Sequence, residues 1–314
     1  MKIIRTTIAR LTDIIASPFV LISALILKLS RALRLEQKPI GKLIFETIGI
    51  FPIRDHYYEP VFSQKQLNKP LGQVRKLESI NLNLDEQLRV LEQFNFNTEL
   101  LQIPVKSLED SRFYYHNDSF GSGDAEYLYN MIRFYKPKRL IEIGSGFSTK
   151  LAIEAIKKNK HENNNLECCH VCIEPYEFKW LETLGPEIIR DVVENIDLDF
   201  FKQLDKNDIL FIDSSHIIRP QGDVLYECLQ ILPALKPGVL IHIHDIFTPR
   251  EYPNIFWNEQ YLLEAFLSFN QSFRVIGALN FLAHNHKEKL SAKCPVFEKE
   301  SLFREPGSFW IQKS

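Results

Sequence analysis

From about residue 120 onward, short apolar runs alternate with longer stretches whose apolar positions recur at helical spacing. The runs predict strands at 139–143, 167–173, 188–193, 209–212, 239–243, 273–278 and 308–311. The intervening pattern predicts helices at 148–157, 176–184, 221–235 and 258–269, the third of which stops at Lys236-Pro237-Gly238. Strands without polar alternation suit a parallel sheet covered on both faces, and strand–helix alternation suits an α/β fold. Upstream, Leu84, Leu88, Leu91 and Phe94 share one helical face, which predicts an amphipathic helix over 84–94. The stretch 51–60, dense in aromatic and charged side chains between two prolines, reads either as a substrate-facing loop or as a packed connector. There is no internal repeat.

The first forty residues follow another pattern. Residues 14–27 are uncharged, and Lys2, Arg5 and Arg10 precede them while Lys28, Arg31 and Arg34 follow. As a helix this run spans about 21 Å, short of the ~30 Å hydrocarbon core, and Pro18 is expected to kink it. Three readings stand: a monotopic or re-entrant anchor, a helix buried in a core or a dimer, and a signal peptide without a clear cleavage site. The anchor is favoured, giving a cytoplasmic protein held at the inner face of a membrane through residues 1–34. The organisation expected is 1–40 membrane association, 41–117 accessory region and 118–314 catalytic domain.

Composition narrows the picture modestly. The chain has 314 residues and a formal net charge of −2, which argues against a nucleic-acid-coating protein. Cys168, Cys169, Cys172, Cys228 and Cys294 form no disulfide framework, and reduced, buried thiols suit a cytoplasmic compartment. Cys168, Cys169, His170 and Cys172 fall within one strand, where neighbours face opposite ways, so thiols in a sheet are preferred there over a metal site.

Chemistry gathers at the ends of the predicted strands. Glu142-Ile143-Gly144-Ser145-Gly146 closes the first strand and opens a helix; glycines there let backbone approach a ligand. A nicotinamide fingerprint asks for a third glycine where this chain has Thr149. Glu142 places a carboxylate beside the expected pocket. Glu174, at the end of the second strand, is suited to accept both hydroxyls of a ribose.

The segments RLIEIGSGFSTKLA, CIEPYE, DILFIDSSHIIRPQGDV and LKPGVLIHIHDIFTPREYP resemble, in order and spacing, the motifs of class I S-adenosylmethionine (SAM)-dependent methyltransferases, and are most similar to the methyltransferase domain 24 type. The resemblance covers about residues 118–314. It implies a Rossmann-like sheet of seven strands, the last antiparallel, flanked by helices, with an N-terminal helical accessory region outside it. It implies that Gly144, Ser145 and Gly146 pass under the methionine part of SAM, that Glu174 holds the ribose, and that Asp213 lies beside the methionine end. Asp124 is placed at the border of the same pocket.

Methyl transfer needs alignment of the acceptor and, for a hydroxyl, removal of its proton. His216 and His244, with Asp213, are the candidates for that proton. His242 and His244 are expected on one side of their strand and Asp245 on the other if extension persists. The rival device, known in related O-methyltransferases, is a divalent cation; Asp213, Asp245 and His244 are its candidate ligands, although an imidazole at 244 suits Mg²⁺ poorly. Arg219 and the loop 248–252 either bind an anionic acceptor or are solvated, and Phe256 and Trp257 either line a pocket or pack.

The expected reaction is O-methylation of a sugar, a polysaccharide precursor or another hydroxyl-bearing small molecule. No nucleic-acid partner is expected, and a homo-oligomer is left open. The alternatives are a nicotinamide-dependent oxidoreductase, disfavoured by Thr149 and the lack of a Tyr-x-x-x-Lys pair, and a membrane-tethered, non-catalytic binding subunit.

Overall fold

The computed structural model describes residues 2–53, 67–107, 112–176, 178–253, 257–299 and 305–314. They form two compact units, Met1–Pro70 and Leu71–Ser314.

The second unit is built on a seven-stranded sheet. Its strands are β1 (Arg139–Ile143), β2 (Cys169–Ile173), β3 (Glu187–Ile189), β4 (Ile209–Ile212), β5 (Leu240–Ile243), β6 (Phe273–Ala278) and β7 (Phe309–Lys313). The order is β3-β2-β1-β4-β5-β7-β6; β1 to β5 run parallel and β7 is antiparallel to both neighbours. This is the mixed sheet expected from the motifs. Its strands carry no polar face because both faces are covered. Leu140, Phe211, Leu240 and Trp310 enter one buried cluster, and Ile141, Leu210, Ile241 and Ile311 enter the other. Burying each such side chain contributes about 1.5–3 kcal/mol.

Register sets the working edge. Ile143, Ile212 and Ile243 stand side by side on β1, β4 and β5. The ladder continues one residue further. Gly144 N–H donates to Ile173 O, Asp213 N–H to Ile143 O, His244 N–H to Ile212 O, and Glu174 N–H to Ile189 O. Glu174, Gly144, Asp213 and His244 therefore form one row along the carboxyl ends, across the point between β1 and β4 where the strand order reverses.

Leu91, Phe94, Leu100, Phe113 and Tyr115, from the stretch read as an accessory region, are buried in the same cluster as the sheet's Leu140 and Phe211. The helix expected over 176–184 contracts to a 3-10 turn, Lys179–Thr183, between Pro175 and Gly185.

The first unit contains α1 (Lys2–Ala32), a turn at Leu35–Gln37, and α2 (Pro39–Ile48). The run 14–27 lies inside a helix twice its length, which continues through Pro18. Proline there removes the N–H that would bond Ile14 O, and the Ser17 hydroxyl donates to that carbonyl instead at 2.9 Å. The section Arg10–Ala32 is long and apolar enough to cross a membrane by length and composition. Of the stretch 51–60, residues 54–60 lie outside the described residues, as does Phe256.

Candidate active site

Gly144 has φ +77°, and a Cβ there would lie 1.9 Å from the backbone oxygen of Asp213, so only glycine lets the ends of β1 and β4 approach this closely. Beyond it, Ser145 N–H donates to Glu174 at 3.2 Å and Tyr176 N–H donates to the other carboxylate oxygen at 2.9 Å. The Glu174 carboxylate is thus fixed by backbone on the floor of a cleft. Two cavities of about 360 and 210 Å³ share Gly144, Glu174 and Asp213 as lining. Val193, Arg219 and Asp223 extend the larger one; Ser145, Gly146 and Phe178 line the smaller. The Ser145 hydroxyl is buried.

Glu142 is not in this cleft. Alternation along β1 turns it under the following helix, Phe147–Glu162, where it accepts the hydroxyls of Ser148 and Thr149, each at 3.0 Å. Its other oxygen meets His170 Nε2, and the Cys172 thiol lies 3.8 Å away. Glu142, His170 and Cys172 share one face, and His170 Nδ1 is buried without a hydrogen bond among the described residues. Burial pushes the Cys168 thiol up to about 12, and Cys172 rises as well with Glu142 beside it, so both are protonated.

The second half of the site lies at the ends of β4 and β5. His216 and Asp245 both adopt left-handed backbone, φ +60° and +54°. That ends extension at Asp245 and brings its carboxylate round to His244, against the expectation of opposite sides. His244 Nδ1 lies 3.5 Å from Asp213 and 3.8 Å from Asp245; His216 Nε2 lies 3.4 Å from Asp213 and 3.7 Å from Asp245. Two imidazoles and two carboxylates converge.

Each imidazole is held from behind by a further buried acid. His216 Nδ1 lies 2.9 Å from Glu259, and His244 Nε2 lies 3.4 Å from Asp124. Asp124 therefore sits behind His244 rather than in the cavity lining, with its carboxylate also accepting from the N–H groups of Gly307 and Ser308. Glu259 is supplied by the helix Glu259–Leu267, whose first N–H groups donate to His216 O. His242 lies on the same side of β5 as His244, as expected, with ring centroids 5.7 Å apart, but its Nε2 meets the Ser308 hydroxyl at 2.8 Å and its ring stacks on Phe211. Trp257 packs its ring 4.6 Å from that of His216.

Burial disfavours charge on these rings, but the acids outweigh it. Asp213 and Glu259 push His216 up to about 10, and Asp245, Asp213 and Asp124 hold His244 well above the ordinary imidazole value. Asp213, despite burial, is held well below the carboxylate range by the same two rings. Burial, with Glu259 and Asp223 nearby, holds Glu227 well above the ordinary carboxylate value; it accepts the Ser214 hydroxyl from the π-helical segment Glu227–Ile231. Asp223 accepts both the N–H and the hydroxyl of Ser215.

Glu259, Asp223 and Glu227 had no signature in the sequence beyond the preference of acids for a helix's first turn, which Asp223 and Glu259 satisfy. Of the residues expected at the site, Gly144, Ser145, Gly146, Glu174, Asp213, His216, His244 and Asp245 are brought together, Asp124 lies one layer behind, and Glu142 does not reach the cleft.

The family match agrees with this geometry. Residues 141–246, from β1 to just past β5, match a family model described as a methyltransferase domain. An uncharacterized protein of Archaeoglobus fulgidus is 30% identical over 181 residues, 53% of this chain and 80% of that protein. Among solved structures, an O-methyltransferase from Bacillus cereus in complex with SAH aligns at 11% identity with a TM-score of 0.36, covering 73% of this chain and 91% of that one. A protein described as a putative protein-L-isoaspartate O-methyltransferase from Plasmodium falciparum, in complex with S-adenosyl-L-homocysteine, aligns at 14% identity with a TM-score of 0.29, covering 51% and 76%. With the motif order, the sheet topology and the family match in agreement, the chain belongs to the class I SAM-dependent methyltransferases.

Proposed function

We propose that this enzyme methylates a hydroxyl group of a sugar, a polysaccharide precursor or another small molecule, with Asp213, His216, His244 and Asp245 handling the hydroxyl proton. The observation that carries this reading is the convergence of those four side chains beside Gly144 and Glu174, in the row where SAM would lie. Glu174 would hold the ribose, Gly144 to Gly146 the methionine, and the larger cavity the adenosine. The family assignment removes the nicotinamide-dependent alternative, and Thr149 serves Glu142 rather than standing in for a third glycine.

In the base reading, the acceptor's proton passes to His216 Nε2 while Glu259 keeps the ring in place through Nδ1. The sulfonium of SAM would bring a positive charge to Asp213, competing with the imidazole proton for the same carboxylate and favouring the neutral ring that a base requires.

A divalent cation is the second reading, favoured by one observation. Donor atoms of Asp213, His216 and Asp245 all lie within 4.8 Å of one another, and buried His244 Nδ1, 3.5 Å from Asp213, faces the same centre. Both rings carry a carboxylate on the far nitrogen, the usual support for metal-ligating imidazoles, so the residues fit. A bound cation would lower the acceptor hydroxyl's pKa. Two imidazoles suit Mn²⁺, Fe²⁺ or Zn²⁺ better than Mg²⁺.

Calorimetric titration with S-adenosylhomocysteine, with NADPH in parallel, comes first; binding of NADPH alone, or of neither, in folded protein would remove this reading. An acceptor screen with and without chelator then separates the two devices, because only the cation-dependent one stops in chelator.

We also read α1 as the membrane anchor. Arg10–Ala32 extends about 35 Å as a helix against a ~30 Å hydrocarbon core, and none of its apolar window is buried. The catalytic unit would then work at the cytoplasmic face. Removal of the whole first unit, residues 1–70, should release the protein from membranes on fractionation; continued sedimentation would reject the anchor.

A further inference from the structure

Beyond α1, the chain turns at Arg34, in left-handed backbone at φ 53°, passes through Leu35–Gln37 and forms α2. This second helix is short, begins at Pro39, ends at Gly49 in left-handed backbone, and buries no residue. Its apolar side chains are not scattered. Ile40, Leu43, Ile44 and Ile48 recur at helical spacing on one face and are 50–76% exposed. Its only charged residues, Lys42 and Glu46, lie on the opposite face and pair at 3.6 Å. Gly41 turns to the preceding turn, where a Cβ would meet Leu35 O at 2.1 Å. Past Gly49, Ile50, Phe51 and Ile53 are exposed as well. An exposed face of this kind needs a cover.

Its place in the chain identifies that cover. α2 follows directly on the end of the only helix among the described residues that is able to cross a bilayer. Lys28, Arg31, Arg34, Lys38 and Lys42 crowd the junction, against Glu36 and Glu46. Both acids are neutralised locally, Glu36 by Arg31 and Glu46 by Lys42. The junction thus presents surplus positive charge, which complements anionic headgroups. A helix with an apolar face, a charged opposite face and a basic approach is built to lie in the plane of an interface rather than across it.

We propose that α2 is an interfacial helix that lies flat in the headgroup region of an anionic bilayer, with Ile40, Leu43, Ile44 and Ile48 facing the acyl chains and Lys42 and Glu46 facing water. This rests on the reading of α1 as an anchor and adds a second, independent contact. It would fix where the chain leaves the membrane, which a single crossing helix does not do.

The test uses the full chain in vesicles of phosphatidylcholine with and without phosphatidylglycerol. Nitroxides are attached, one at a time, at Ile44→Cys, Ile48→Cys, Lys42→Cys and Glu46→Cys, in a background lacking the half-buried Cys168 and the exposed Cys169. Their collision rates with oxygen and with an aqueous nickel chelate are then compared. Labels at 44 and 48 should favour oxygen over nickel by several-fold, labels at 42 and 46 should show the reverse, and the contrast should sharpen with the anionic lipid. Equal accessibility at all four positions, whether all wet or all shielded, overturns the proposal. If the chain floats with vesicles while all four labels are wet, α2 is not interfacial but the anchor stands. If the chain does not float, the anchor reading falls and α2 falls with it.

Discussion

His216 and Glu259 form a buried pair, with the carboxylate 2.9 Å from Nδ1, and the same His216 receives the first N–H groups of the helix that carries Glu259. Side chain and backbone therefore fix one residue from both ends. Glu259→Gln keeps the shape but removes the charge. It should lower the imidazole pKa of His216, seen by NMR titration, and reduce methyl transfer by about 10–100-fold while leaving S-adenosylhomocysteine affinity unchanged. His216→Ala should likewise spare cofactor binding and lose turnover. Full activity of both variants on an authentic acceptor would exclude His216 as either base or ligand.

Glu174→Ala removes a carboxylate that two backbone N–H groups hold in place. S-adenosylhomocysteine binding should weaken by about 2–3 kcal/mol, roughly 30- to 150-fold, as expected for hydrogen bonds to a charged group. An unchanged calorimetric constant would dissociate this residue from the ribose.

Gly144→Ala forces a methyl group into the backbone of Asp213, 1.9 Å away. The ends of β1 and β4 must separate, at a cost of at least ~2 kcal/mol. A lower melting temperature and loss of cofactor binding should appear together. A variant with normal stability and binding would mean that the two strand ends part without consequence.

Glu126 supplies a prediction about pH. It is buried; one oxygen accepts Val296 N–H at 2.6 Å and the other Gly123 N–H at 3.0 Å. Burial nevertheless pushes its pKa up to about 7 from an ordinary 4.5. Between those values the folded state keeps a proton that the unfolded chain has released, so stability falls as pH rises through the window. From about pH 5 to about pH 8, wild type should lose ~2–3 kcal/mol more than Glu126→Gln in denaturant unfolding. Parallel curves would show that Glu126 does not titrate in this range.

The sequence made β1, β4, β5 and β6 legible because mostly apolar runs end in residues that break the pattern, such as Gly144 and Asp213. It misplaced Glu142, because position beside a glycine turn says nothing of the pleat that aims the side chain. Asp124 was visible only as a residue upstream of the first strand; its contact with His244 depends on Gly307 and Ser308, nearly two hundred residues away. Glu259 reads as an ordinary first-turn acid, and its burial follows from the left-handed backbone at His216, which has no compositional signature. The run 14–27 gave no sign that one helix would extend from residue 2 to 32; it continues through Pro18, where the Ser17 hydroxyl bonds the carbonyl that the proline leaves free.

The boundary between Pro70 and Leu71 bears on how the enzyme can be handled. Every residue assigned here to chemistry lies after it, so a recombinant fragment starting near Leu71 should retain cofactor binding without detergent. Trimming instead to residue 118, where the motifs begin, would strip Leu91, Phe94, Leu100, Phe113 and Tyr115 from the interior and leave their partners bare. The shortest useful fragment is set by where the core closes, well upstream of the first recognisable motif.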